Sequence, residues 1–135
     1  MIRRISLFIL FLFFSCKTSS ELSQSPDLQV NKVPVITFVQ QTLNLGILKR
    51  GQTKDVVFKF TNTGNSDLVI ELVTSCKCTK LDWPIQPILP GESAKIFVTY
   101  DSTDQELGAL HKTIDIIANT DPIVVEAFFD VTIVE

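Results

Sequence analysis

Histidine, methionine, tryptophan and tyrosine each occur once in these 135 residues, and cysteine three times. A zinc site wants about four ligands and copper(I) at least two. A metal centre here would therefore have to borrow carboxylates, the lone His111 or a second chain. Lysine and arginine form no cluster, which excludes nucleic acid as a partner, because phosphate neutralisation dominates that kind of binding. No apolar run reaches the ~20 residues of a membrane-spanning helix. Also missing are a nucleophile elbow, a metalloprotease helix, a phosphate loop and a dinucleotide fingerprint. No catalytic constellation is visible, so the expectation is a protein that is not an enzyme and that needs no cofactor.

What is present begins with Met1-Ile2-Arg3-Arg4, a positive start followed by the apolar run Ile5 to Phe14. This layout is that of an export signal over residues 1–15. Phe13-Phe14-Ser15-Cys16 follows and resembles a bacterial lipobox, in which a small residue precedes the cysteine that is lipidated and becomes the new N-terminus. The expected protein is therefore tethered through Cys16 to a bacterial membrane at the cell envelope, with secretion after conventional cleavage as the alternative. Removal of Arg3 and Arg4 leaves 10 of the 12 basic side chains against 15 acidic ones, a mildly acidic mature chain. Residues 16–33 are polar, without sustained periodicity, and read as a flexible tether. Residues 34–135 read as the folded domain.

Within that domain no stretch holds a helical period for three turns, and short apolar runs are punctuated by turn residues, as in an all-β domain. Val35–Val39 and Leu43–Leu48 open it, with Gly46 as a bulge. Val56, Phe58 and Phe60 alternate with Val57, Lys59 and Thr61, and Ala94, Ile96, Val98 and Tyr100 alternate with Lys95, Phe97 and Thr99. Each set predicts a half-buried antiparallel strand. Leu68, Ile70 and Leu72 form another inward set. Trp83 to Leu89, with two prolines, predicts an edge strand or an irregular crossover. Pro90-Gly91 suits a type II turn, and Asn119-Thr120-Asp121-Pro122 separates the last two strands, Leu110–Ala118 and Ile123–Val134. About seven short antiparallel strands predict a single immunoglobulin-like sandwich.

The paired cysteines lie in Ser75-Cys76-Lys77-Cys78-Thr79. On a regular strand Cys76 and Cys78 share one face, and continuing the parity of Leu68 and Ile70 turns both toward the core. Their Cα atoms would be roughly 6.6 to 6.8 Å apart, at the outer limit for a disulfide, so a bridge needs a bend or a bulge. The oxidising compartment favours a bridge. Left reduced, the pair offers thiolates to copper or zinc, with His111 as a further ligand. Two functions from different classes follow. The first is an envelope lipoprotein with a binding or scaffold module, whose partner is a protein or glycan docked by strand addition at an exposed edge. The second is a periplasmic thiol or metal-handling protein using the Cys-x-Cys pair.

The ordered set Phe58-Lys59-Phe60-Thr61-Asn62-Thr63-Gly64, Leu68-Val69-Ile70, Ser75-Cys76-Lys77-Cys78-Thr79, Ile88-Leu89-Pro90-Gly91-Glu92-Ser93-Ala94, and Gly108 with Ile114 to Asn119 resembles the bacterial family called domain of unknown function 1573. The resemblance covers roughly residues 43–130. It implies an immunoglobulin-like sandwich, frequently secreted or lipid-anchored in Gram-negative bacteria, related in shape to major sperm protein and to ciliary scaffold domains. It implies no known reaction.

Overall fold

The computed structural model describes residues 31–135. The export signal, Cys16 and most of the tether lie outside the described residues. Eight strands follow in order: β1 (Ile36–Phe38), β2 (Thr42–Lys49), β3 (Thr53–Asn62), β4 (Ile70–Thr74), β5 (Thr79–Asp82), β6 (Ser93–Asp101), β7 (Gly108–Ala118) and β8 (Val124–Val134). They make two four-stranded sheets, β1-β3-β6-β5 and β2-β8-β7-β4. The immunoglobulin-like sandwich expected from the alternating runs is the fold.

Period-two alternation builds the core. Phe58, Phe60, Ile96, Val98 and Tyr100 project inward from the first sheet; Ile114, Ile116, Ala127, Phe129, Val131 and Ile133 meet them from the second. The Tyr100 and Phe129 rings pack edge to face across the sandwich, with centroids 5.2 Å apart, a geometry that suits their quadrupoles. Among the described residues the Tyr100 hydroxyl is the one buried side-chain polar atom without a hydrogen-bond partner. Burial, with the Asp101 charge adding to it, pushes its pKa up.

Two local expectations change in the folded chain. The domain has eight strands rather than seven, and they are not all antiparallel, because β2 runs parallel to β8. Residues 39–41 carry the chain from the edge of one sheet to the edge of the other. A strand that keeps its direction while changing sheets runs antiparallel to β3 and then parallel to β8. The second change is in β4. A register shift between Ile70 and Leu72 leaves Leu72 43% exposed and buries Val73 to 3%, since one extra residue swaps the faces of everything after it. Trp83 to Leu89 forms an irregular crossover, one of the two forms expected of it. It is tied down where Leu68 and Ile88 exchange N–H to C=O bonds of 2.9 Å.

Gly46 forms the expected bulge, with φ 75° and a register shift between Asn44 and Ile47. Gly91 has φ 83°, and the Glu92 N–H donates to the Leu89 C=O at 3.0 Å, as the third residue of a type II turn requires.

Candidate docking edge and cysteine turn

β4 ends at Thr74, so Cys76 and Cys78 lie beyond its alternation, and of the two Cys78 packs against the core. Both are half-buried in a tight turn, with Lys77 exposed between them. The Cys76 C=O accepts the Thr79 N–H at 3.1 Å and the Thr79 hydroxyl at 2.8 Å. The Ser75 hydroxyl donates to the Thr113 C=O at 2.6 Å, pinning the turn to β7. This bend brings the two Cα atoms to 5.1 Å, and the cysteines are joined as a disulfide, inside the range that an extended strand would not reach.

The bridge closes a loop of only three residues, from Cys76 to Cys78. In the chain-entropy account so small a loop contributes at most about 1.6 kcal/mol. Reduction is therefore expected to lower stability by less than ~2 kcal/mol, measured by urea unfolding with and without reductant. A loss well beyond that would mean the turn organises more of the sandwich than its own backbone bonds indicate.

His111 stands apart from this turn. Its Nδ1 lies 2.6 Å from Asp130 Oδ1, and its ring stacks on Phe128 with centroids 5.2 Å apart, on the outer face of the β7–β8 pair in the other sheet. The expected ligand set of Cys76, Cys78 and His111 is not brought together. Among the described residues no group of three or more His, Cys, Asp or Glu is placed to hold a metal.

Beyond the turn comes β5, a separate strand over Thr79–Asp82 that the alternating pattern does not single out. It pairs only with β6, in an unbroken antiparallel register from Thr79 opposite Tyr100 to Asp82 opposite Phe97. The Asp101 N–H donates to the Cys78 C=O at 2.8 Å, which sets the phase of the ladder. Lys80 and Asp82 bond inward to β6, while the Leu81 N–H and C=O and the Thr79 C=O point away from the sheet. The Thr79 N–H is already committed to Cys76.

The other three edges are less available. β2 is interrupted at Gly46, and two of its N–H groups are capped by side chains: Gly46 by Asn44 Oδ1 at 2.8 Å and Lys49 by Gln52 Oε1 at 2.9 Å. β4 carries its register shift, and a bulge twists an edge away from partners. β1 has three residues.

Beside β5, on the outer face of its sheet, a shallow groove of about 400 Å³ is lined by Asp82, Trp83, Pro84, Ala94 and Phe97. Phe97 is 48% exposed. Trp83 packs partly against the core, so of the two aromatics lining the groove Phe97 is the more available. At the opposite end of β5, Asp101 accepts the Thr103 hydroxyl at 2.6 Å and the Thr103 N–H at 2.9 Å. These bonds, with help from Lys80, hold its carboxyl below the usual carboxylate range. Lys80 and Asp82 themselves escape sequence reasoning. Their alternation with Leu81 is too short a signal without knowledge that β5 is a separate strand at an edge.

A family model described as "Protein of unknown function (DUF1573)" matches residues 36–133. Comparison with curated protein sequences returns no match. Among solved structures the chain is similar to a protein of unknown function from Porphyromonas gingivalis, with 19% identity and a TM-score of 0.66 over 81% of this chain and 51% of that one. It is similar to the secreted serine protease VesC from Vibrio cholerae, with 17% identity and a TM-score of 0.58 over 73% of this chain and 23% of that one. It also resembles an ASH/PapD-like domain of human CEP192, with 10% identity and a TM-score of 0.61 over 98% of this chain and 99% of that one. The chain thus spans about half of the first structure and under a quarter of the second. At these identities the likeness is one of fold.

Proposed function

Because this chain belongs to the DUF1573 family, whose model it matches over nearly the whole sandwich, we propose that it is a lipid-anchored envelope protein whose immunoglobulin-like module binds by strand addition at β5. The fold fits a binding or scaffold module, and the reading assigns it no reaction. The observation that carries it is the unbroken edge of β5, with unpaired main-chain groups at Leu81 next to an apolar groove at Phe97. Main-chain hydrogen bonds supply affinity in this binding mode, and side-chain pockets supply specificity.

The anchor rests on the basic start, the apolar run and the small residue before Cys16. In detergent phase separation the full chain expressed in a Gram-negative host is expected in the detergent phase, and Cys16→Ser in the aqueous phase. Equal partitioning of the two would defeat the anchor. For the edge, a photo-crosslinking residue at position 80 is expected to yield a discrete adduct in intact cells, and one at the exposed Ile47, on the capped β2 edge, none. Equal labelling from both positions would remove β5 as the docking site.

The thiol or metal-handling alternative draws less support from the geometry. The cysteines are bridged, and His111 is committed to Asp130 on the other sheet.

A further inference from the structure

β5 is complementary to itself, and we propose that its partner is a second copy of this chain, paired antiparallel along β5 about a twofold axis at Leu81. The inference rests on the edge reading above and names the occupant. It begins from the ladder phase. The groups that β5 presents outward are the Leu81 N–H, the Leu81 C=O and the Thr79 C=O, because Cys78, Lys80 and Asp82 bond toward β6.

Centring the twofold on Leu81 lets each Leu81 N–H donate to the other copy's Leu81 C=O. The same register brings the Thr79 C=O opposite position 83, where Trp83 retains an N–H. The N–H of Thr79, which would otherwise donate to the second copy's Trp83 C=O, is already bound by the Cys76 C=O at 3.1 Å, so each of these outer pairs makes one bond in place of two.

Side chains agree with the backbone. Lys80 and Asp82 are exposed on the outer face, opposite Thr99 and Phe97 of β6. Among the described residues neither is ion-paired within its own chain. In a pairing centred on Leu81 each Lys80 lies directly across from the second copy's Asp82, and each Asp82 across from the second copy's Lys80. Opposite charges facing across strands stabilise the pair. A slip by two residues places Lys80 opposite Lys80, or Asp82 opposite Asp82, and is disfavoured by repulsion. A lysine on an edge strand ordinarily discourages pairing, and here the facing Asp82 cancels that effect for one partner and one register. Leu81 packs against the core on the inner side, so a second Leu81 beside it extends the apolar layer. The two β1-β3-β6-β5 sheets become one continuous sheet.

The test uses the full chain in detergent micelles and in native membranes. Treatment with a carbodiimide, which joins an amine to a carboxylate without a spacer, is expected to yield a covalent dimer whose digest contains a Lys80–Asp82 linked peptide. Lys80→Asp places two acid pairs across the interface and Asp82→Lys places two lysine pairs there; each is expected to weaken self-association at least ~10-fold, read by analytical ultracentrifugation. The double variant K80D/D82K is expected to restore it, which a general loss of folding would not do. Thermal melts of all three variants check that the sandwich is intact.

A monomer at every concentration, or a dimer indifferent to the single reversals, would overturn the proposal. An adduct at position 80 that contains a different protein, together with a monomeric chain, would overturn the twofold partner while leaving the edge in place. The absence of both dimer and adduct would bring down the edge reading as well.

Discussion

Replacement of Asn62 by alanine is expected to destabilise the domain by about 3 kcal/mol, because buried acceptors left without a donor cost ~1–3 kcal/mol each. Asn62 is fully buried at the end of β3. Its Nδ2 donates to the C=O of Ser66 at 2.8 Å and of Ile88 at 2.9 Å, and its Oδ1 accepts the N–H of Gly64 at 3.1 Å and of Val35 at 3.3 Å. One side chain thus joins the β3–β4 loop, the crossover at Ile88 and the segment entering β1. Alanine would leave the Ile88 carbonyl one bond short in the interior and open a void beside it. For a domain of this size the loss corresponds to a fall in Tm of roughly 10–20 °C, measured by thermal or urea unfolding of the full chain. Asn62→Asp separates the two causes. It keeps the shape but aims oxygen at two carbonyls, so it is expected to be at least as damaging as alanine. An aspartate variant as stable as the parent would refute the hydrogen-bond account, and an alanine cost under ~1 kcal/mol would refute both.

Gly64→Ala is the second large effect, expected at about 2–3 kcal/mol, the upper part of the range for overpacking. A Cβ at this position would stand 2.5 Å from the Val35 nitrogen and 2.6 Å from Pro34 Cα, and against the Val33 carbonyl as well. These are backbone atoms, which have no rotamer through which to yield. The strand entering β1 would have to move away, breaking the 2.9 Å bond from the Thr63 N–H to the Val35 C=O and the Val35 contact with Asn62. Amide hydrogen exchange is the informative readout. Residues 36–38 should lose protection, while the β6–β7 core keeps most of its own. Unchanged exchange in β1 would show that the close approach at Gly64 does not hold that strand. The double variant N62A/G64A should cost less than the sum of its parts, since both act on the same segment.

These two residues explain why Asn62-Thr63-Gly64 stands out in the sequence. Asparagine supplies donors and acceptors at one buried point, and glycine admits a second backbone strand against it. A reader of the sequence sees loop-forming residues there and infers a turn, which is correct. That the turn also fastens β1 depends on contacts across about thirty positions of chain, from Val33 and Val35 to Asn62 and Asn65.

The sequence by itself determined the all-β class, the inward faces of β3 and β6, the presence of β7 and β8, the bulge at Gly46 and the turn at Pro90-Gly91. Each follows from short-range physics: alternation at period two, the fixed φ of proline and the left-handed conformation open to glycine. Tertiary structure decided the rest. Which sheet receives β2, and hence its parallel pairing with β8, depends on where the chain crosses between layers. A single extra residue in β4 reversed the faces of Leu72 and Val73. The cysteines sit in a turn and not on a strand because β4 and its pairing with β7 stop at Thr74, and of the two Cys78 packs against the core. Likewise Lys80 and Asp82 are ordinary charged residues until the topology leaves β5 with a neighbour on one side only. Edges, register and switches between sheets are relations among segments far apart in the chain, and no local pattern encodes them.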